Sequence, residues 1–182
     1  MASTYLSRTT WGTPTNAKKF TLSFWVKRGT LGARNTLVGS YDNSSTASFM
    51  FSFEANDTLY IALGGNADYD LQTTQLFRDT SAWYHIVYAV DSTQATASNR
   101  QKLYINGSQV TAFGTANYTA LDSTTFLFNN SFRNNIGSQW QISNYFDGSM
   151  SHFHFIDGLA YDASTFGETD SLTGIWKPIT SP

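Results

Sequence analysis

Alternation of apolar and polar residues is the feature that most limits the folds open to this chain. Residues 20–27, FTLSFWVK, carry an apolar side chain at every second position, and residues 48–54, SFMFSFE, do the same with three phenylalanines. A period of two is that of a β-strand with one buried face, and no segment sustains the 3.6-residue period of an amphipathic helix. The chain is therefore predicted to consist mainly of strands.

Turn sequences separate the apolar runs at intervals that suit hairpins. The residues Ala55, Asn56 and Asp57 precede TLYIAL (58–63), and Asn106-Gly107 interrupts RQKLYINGSQV (100–110). Asn-Gly between alternating apolar residues is a strong hairpin signal, because a type I′ turn needs a positive φ at both central positions.

Further strands are expected along most of the chain. They are WYHIVYAVD (83–91), FLFN (126–129), NNIGS (134–138) and a long strand at about 146–156, followed by one helical turn in DASTFGE (162–168) capped by Asp162 or Ser164. About a dozen short strands with regular turns predict an all-β fold, a two-sheet antiparallel β-sandwich of the jelly-roll type. With 182 residues and no visible linker, we expect a single domain over 1–182.

Composition excludes several partners and chemistries. Charged residues make up 13%, the net charge is -2 and no basic run occurs, so we expect no nucleic-acid partner. No apolar run is long enough for a membrane span. The chain has no cysteine, hence no disulfide and no thiolate zinc site. The N-terminus shows no apolar signal region, so we expect synthesis in the cytoplasm.

Three phrases carry a family resemblance. They are FTLSFWVKRG, WYHIVYAVD followed by KLYINGSQV, and NIGSQ with YFDGSMSHFHFIDGLAYDASTFGE, which together cover about 20–168. They resemble the concanavalin A-like jelly roll in its laminin-G or pentraxin-like form.

The ends narrow the resemblance. YLSRT, WVKRGTLG and HFIDGLAYDASTFGETDSLTGIWKP are similar to laminin-G-like proteins encoded by tailed bacteriophages, many of them marine. This resemblance implies a virion structural protein, a head-decoration or tail-fibre component that displays a lectin-like domain and binds host surface glycans. It implies capsid or tail proteins as partners, and a homo-oligomeric or lattice-bound state.

Catalysis is not expected. A retaining glycosidase needs two carboxyl groups about 5 Å apart, and the glucanases of this fold carry glutamates close together on one strand, whereas Glu54 and Glu168 stand far apart in sequence. The alternatives to a virion protein are a free bacterial carbohydrate-binding lectin and, last, a divergent glycan hydrolase.

The candidate glycan-binding residues lie in FRNNIGSQWQISNYFDG (132–148). They are Asn134, Asn135, Trp140, Asn144 and Tyr145. Aromatic side chains stack on sugar rings and amides hydrogen-bond hydroxyl groups, although such a loop equally suits a protein interface.

No cofactor is expected, and calcium is the one candidate ion, because many domains of the resembling family bind it. Calcium prefers Asp, Asn and carbonyl oxygens, which makes Asp68 and Asp70 in GGNADYD the candidate ligands. Asp147 and Asp157 are a second pair, but aspartate before glycine more often forms a turn.

The histidines and tryptophans are interpreted as structural. Alternation places His152 and His154 on one strand face together with Met150 and Ile156, either as scaffold or as two metal ligands, and we expect scaffold. His85 is expected to be a satisfied sheet histidine. Trp25 and Trp83 are predicted to lie in the core, and Trp11 and Trp176 to pack on the sandwich or on a neighbouring subunit.

Overall fold

The computed structural model describes residues 4–9, 11–41, 48–64, 69–124, 132–139 and 143–179. These residues form fourteen strands and two short 3-10 turns, Ala97–Asn99 and Ala163–Thr165. The strands are β1 Leu6–Arg8, β2 Lys19–Arg28, β3 Asn35–Tyr41, β4 Ser48–Phe53, β5 Thr58–Leu63, β6 Tyr69–Leu76, β7 Tyr84–Asp91, β8 Gln101–Ile105, β9 Ser108–Gln109, β10 Phe113–Ala116, β11 Arg133–Ile136, β12 Gly148–Asp157, β13 Gly167–Thr169 and β14 Trp176–Pro178.

Two large antiparallel sheets make up the fold. The first has seven strands in the order β1-β11-β3-β4-β5-β6-β10, and the second has five in the order β12-β2-β7-β8-β9. Strands β13 and β14 form a separate two-stranded hairpin. The prediction of an all-β antiparallel sandwich is confirmed.

An aromatic core joins the two sheets. Phe24 of β2 meets Phe51 of β4 edge to face with ring centroids 5.6 Å apart, and Tyr88 of β7 stacks on Phe49 at 6.2 Å. All four side chains are fully buried. Such pairs add about 0.5–1.5 kcal/mol each beyond the burial of their area, so the core provides the rigid platform on which the outer faces are displayed.

The main strand predictions are confirmed by burial. The predicted inward positions of β2, β4 and β5 are all at most 1% exposed; they are Phe20, Leu22, Phe24, Val26, Phe49, Phe51, Phe53, Leu59, Ile61 and Leu63. Asn106 and Gly107 have φ values of 47° and 83°, as the predicted turn between β8 and β9 requires. The predicted strand 126–129 lies outside the described residues.

A β-bulge interrupts strand β12 at His152. Ser151 lies opposite Trp25 and His154 opposite Ser23, so two residues of β12, His152 and Phe153, face the single residue between Trp25 and Ser23. His152 has a φ of 48°, and the extra residue shifts the alternation of side chains by one position.

The bulge corrects the prediction that Met150 shares a face with the two histidines. Met150 and Phe153 pack against the main core, and Phe153 stacks on Phe24 at 5.6 Å. His154, in contrast, lies 5.7 Å from Phe166 on the outer side of the sheet, and Ile156 also packs on that side. The bulge therefore turns both histidines outward and keeps the aromatic residues of β12 in the core.

The segment 159–179, which we call the strap, covers part of the outer face of the five-stranded sheet. Its residues Ala163 and Phe166 pack on Val87 of β7 and form a second buried cluster. Asp162 caps the turn Ala163–Thr165 by accepting a hydrogen bond from the backbone N–H of Ser164, as predicted for this position. Because of the strap, the polar residues Ser23 and His85 on the outer face are only 1% exposed.

None of the helical turns in the described ranges has the length and apolar character needed to span a bilayer.

Candidate functional site

An open groove runs along the edge of the strap on the outer face of the five-stranded sheet. It has a volume of about 330 Å³, and we call it the tryptophan groove; its lining residues are Trp25, Trp83, Ser151, His152, Trp176, Lys177 and Pro178. A deeper depression of about 540 Å³ continues from it and shares Trp25, His152 and Pro178. We call this depression the histidine pocket; its other lining residues are Ser23, His85, His154, Phe166 and Ile179.

A stack of three rings forms the wall between the groove and the pocket. Trp25 of β2 stacks on His85 of β7 with centroids 4.9 Å apart and ring planes 17° apart. Trp176 of the strap lies 6.0 Å from His85 and donates a hydrogen bond from its indole Nε1 to Nδ1 of that histidine, at 2.9 Å. This hydrogen bond links the strap to the sheet at the centre of the site.

The hydrogen bonds of His85 determine its tautomer. The indole N–H can only donate, so Nδ1 of His85 must be the unprotonated acceptor. The proton therefore resides on Nε2, which donates to Oγ of Ser23 at 3.0 Å. Burial, together with the nearby His154 and His152, lowers the pKa of His85 to about 4. The expectation of a satisfied sheet histidine is confirmed.

Two glycines provide the space that Trp176 occupies. A Cβ on Gly107 would lie 2.6 Å from Cε3 of Trp176, and a Cβ on Gly167 would lie 2.6 Å from its Cε2. The turn with Gly107 is itself tied to β7, because the backbone N–H of His85 donates to Oδ1 of Asn106 at 2.8 Å. Trp176 thus packs on the sandwich, the first of the two alternatives predicted for it.

The prediction that Trp25 and Trp83 lie in the core is wrong. Trp25 alternates with the inward residues Phe24 and Val26, so it faces the strap and not the core. Trp83 precedes β7 and is 42% exposed. Trp11, in contrast, packs against the main core, where Arg8 lies 4.5 Å from the centre of its ring.

The histidines line the site but do not form a recognisable metal centre. His85, His152 and His154 all border the histidine pocket. Burial and the neighbouring His152 lower the pKa of His154, and Nδ1 of His152 lies 2.7 Å from Oγ of Ser151. No group of three or more ligating side chains suited to a metal occurs among the residues described.

The predicted glycan loop is only partly gathered into one place. Asn134 and Asn135 lie in β11, are at most 3% exposed, and donate to the carbonyl groups of Phe132 and Gln139 respectively. Their burial argues against direct glycan contact, since both side-chain amides already donate to carbonyl oxygens of the chain.

Glycan binding by the other candidate residues of the loop remains a prediction. Asn144 donates to Oε1 of Gln139 at 2.5 Å, and the ring of Tyr145 lies 6.1 Å from that of Tyr5. Trp140 lies outside the described residues. Among the described residues, Asn144 and Tyr145 therefore remain the accessible candidates for glycan binding.

The predicted calcium ligands cannot be assembled from the described residues alone. Asp70 accepts a hydrogen bond from Asn117 at 2.6 Å, and burial, together with the Asp70 carboxylate, raises the pKa of Tyr60 to about 12. Asp68 lies outside the described residues. Asp147 and Asp157 lie at opposite ends of β12, each before a glycine with positive φ, which is the turn interpretation. Calcium binding at Asp68 and Asp70 remains a prediction.

Comparison with known proteins identifies the family. The Laminin_G_3 family, described as the concanavalin A-like lectin/glucanases superfamily, matches residues 2–161. The chain therefore belongs to this family. Most of the strap, including Trp176, lies beyond the matched region, so the groove combines a family sheet with a segment outside the match. No curated protein matches the chain in sequence.

Solved structures with the same fold include domains of glycan-processing enzymes and a pentraxin. Domain 4 of an extracellular GH43 arabinanase from Geobacillus stearothermophilus, in complex with arabinotriose, has a TM-score of 0.55 and 18% identity, covering 80% of this chain and 64% of its own. The CBM40 of the Ruminococcus gnavus IT-sialidase has a TM-score of 0.57 and 13% identity; the match covers 82% of this chain and 80% of the CBM40 chain. A heptameric SAP-like pentraxin from Limulus polyphemus has a TM-score of 0.54 and 13% identity; the match covers 83% of this chain and 68% of the pentraxin chain.

Substitution of Gly107 tests the packing of Trp176. We expect Gly107→Ala to destabilise the protein more than Gly32→Ala, because both positions have positive φ but only Gly107 lies against Trp176. The additional loss should be about 1–3 kcal/mol, the usual cost of overpacking, measured by urea unfolding. Equal losses in the two variants would contradict the described packing.

The buried neutral His85 predicts a dependence of stability on pH. Its pKa is about 4 in the folded protein and about 6.5 in the unfolded chain. Its stabilisation is therefore complete above pH 6.5 and decreases as the pH falls towards about 4, by roughly 3 kcal/mol in all. The measurement is urea unfolding of the wild type and of His85→Gln between pH 7 and 4.5. The wild type should lose more stability than the variant over this range; parallel curves would contradict the assignment.

Proposed function

We propose that this chain is a non-enzymatic carbohydrate-binding protein that binds a neutral glycan in the tryptophan groove. The observation that carries the proposal is the convergence of Trp25, Trp83 and Trp176, from two strands and the residue before a third, on one open groove. A groove with apolar aromatic walls and a few polar groups is the usual form of a small-molecule binding site.

The polar groups of the groove suit hydroxyl groups. Ser151 and His152 border it, and Lys177 at its rim is engaged by two carboxylates, with its Nζ 2.9 Å from Asp170 and 3.5 Å from Glu168. In the adjoining histidine pocket, the lowered pKa values of His85 and His154 favour the neutral form of both rings. A groove with flat aromatic surfaces, whose lysine is already engaged by carboxylates and is not available to a sugar carboxylate, favours a neutral sugar over an acidic one.

The carboxylates of the chain support a binding function without hydrolysis. No Asp or Glu lines the tryptophan groove or the histidine pocket within the described residues. Glu54 follows β4 in the other sheet and pairs with Arg34 at 2.8 Å, whereas Glu168 is in β13. Two such carboxylates are not placed to act on one glycosidic bond.

We propose further that the protein is a component of a tailed-phage virion, synthesised in the host cytoplasm. The support is the resemblance of the end phrases, and the longest of these, HFIDGLAYDASTFGETDSLTGIWKP, contains most of the strap. In this proposal the chain attaches to capsid or tail proteins, as an oligomer or in a lattice, and presents the groove to host surface glycans.

A glycan array with matched variants tests the groove. We expect the wild type to bind neutral glycans and Trp83→Ala to lose about tenfold or more in affinity, because aromatic residues at the centre of binding sites carry most of the binding energy. Trp83 is exposed, so the variant should fold. Tyr145→Ala in the predicted loop is the control and should bind as the wild type does. Loss in Tyr145→Ala with retention in Trp83→Ala would move the site to the loop.

Cryo-electron microscopy of the phage particle that encodes this chain tests the virion proposal. We expect density for a two-sheet sandwich on the head or the tail, in a symmetric arrangement. Absence of the protein from purified particles would contradict the proposal and favour a free lectin.

A further inference from the structure

A second depression lies at the other end of the strap, on the same outer face of the sheet. It has a volume of about 250 Å³ and lies between the strap, strands β7 and β8, and the loop that joins these two strands. We call it the tyrosine pocket; the residues that the argument uses are Ala89, Asn99, Lys102, Tyr104, Tyr161 and Asp162. Ala89 provides its floor, because this position of β7 carries a small side chain between the larger Val87 and Asp91.

The wall on the strap side is fixed to the sheet. The hydroxyl group of Thr21 donates to the carbonyl oxygen of Leu159 and accepts from the backbone N–H of Tyr161, each at 2.8 Å. The Asp162 carboxylate, through its Oδ1, accepts from the N–H and the hydroxyl group of Ser164. These bonds hold the backbone of Tyr161 and Asp162 in place, so the pocket is formed before any ligand arrives.

The opposite wall is equally constrained. Arg100 donates hydrogen bonds to the carbonyl oxygens of Gln94, Ala95 and Thr119, at 2.8–3.0 Å, and so fixes the loop. Asp91 accepts from Thr93 and Gln94 and pairs with Lys19 at 3.0 Å, which neutralises its charge.

Several polar groups at the pocket are not used by the protein itself. Within the described ranges, no hydrogen bond or ion pair is formed by Oδ2 of Asp162, the amide of Asn99, Nζ of Lys102 or the hydroxyl groups of Tyr104 and Tyr161. Burial and the Asp162 carboxylate raise the pKa of Tyr104, so its hydroxyl group remains a donor. Donors and acceptors thus surround two aromatic rings, and the charges of Lys102 and Asp162 balance each other.

We infer that the tyrosine pocket is a second binding site, for a single neutral saccharide ring. A volume below the roughly 300–1,000 Å³ of sites for larger ligands suits one ring, and the unused donors and acceptors match the several hydroxyl groups that such a ring presents. The inference takes only its class of ligand from the proposed function. The strap therefore separates two binding sites on one face of the sheet.

The test is a titration of the ¹⁵N-labelled chain with methyl glycosides of glucose, galactose, mannose and N-acetylglucosamine, followed by NMR. We expect at least one probe to cause saturable shifts of the backbone amides of Asn99, Lys102 and Tyr161. Trp83→Ala should leave these shifts unchanged. Ala89→Leu, which fills the floor, and Tyr161→Ala, which removes an exposed wall, should each weaken the binding about tenfold.

The outcomes separate the two sites. Shifts at the tyrosine pocket that persist in Trp83→Ala support a second site even if the tryptophan groove binds nothing. No shift there with any of the four probes overturns the inference and leaves the groove untouched. Shifts that vanish in Trp83→Ala, or that are as strong in Tyr161→Ala as in the wild type, also overturn it, because they would arise elsewhere.

Discussion

The hydrogen bond from Trp176 to His85 is the interaction on which the outer face of this protein depends. The five-stranded sheet has one face in the aromatic core and another that carries Ser23, His85 and Val87, which would be solvated without a cover. The strap provides that cover, and Trp176 is its connection to the middle of the sheet. The tryptophan groove and the tyrosine pocket exist because this cover is narrow. It leaves Trp25 to line the groove on one side and Ala89 to line the pocket on the other.

The connection constrains residues that are distant in sequence. Gly107 and Gly167 must lack a side chain for the indole to fit, and Asn106 ties the first of them to β7. His85 must remain neutral with its proton on Nε2, because a proton on Nδ1 would face the indole N–H and break the bond. One hydrogen bond therefore links the chemistry of a buried imidazole to the shape of a binding surface.

Much of the fold could be predicted from sequence, because a strand with one buried face shows a regular alternation of apolar and polar residues. Strand β6, Tyr69–Leu76, was not predicted, since it alternates Leu71 and Thr73 with polar residues and lacks the aromatic run of its neighbours. The bulge at His152 was also missed, because a single inserted residue leaves no signal in the composition. The bulge places Met150 on the face opposite to that of the two histidines. Such a shift depends on the pairing with β2, which local sequence does not contain.

The site was less predictable than the fold. Alternation already placed Trp25 opposite Phe24 and Val26, so its outward direction was available, but its partners His85 and Trp176 are 60 and 151 residues away in the chain. The glycan prediction followed a cluster of Asn, Trp and Tyr in one loop. Two of those asparagines, which already lay in a predicted strand, are buried and donate to backbone carbonyl groups, because amides serve that purpose as readily as they bind sugars.

The protonation state of His85 is the most direct test of the central interaction. Long-range ¹H–¹⁵N NMR at pH 7 distinguishes the two ring nitrogens of each histidine. We expect His85 to be protonated at Nε2 only, with Nδ1 coupled across a hydrogen bond to the indole proton of Trp176. A proton on Nδ1, or an imidazole of His85 that exchanges freely with solvent, would contradict the attachment of the strap and with it the origin of both sites.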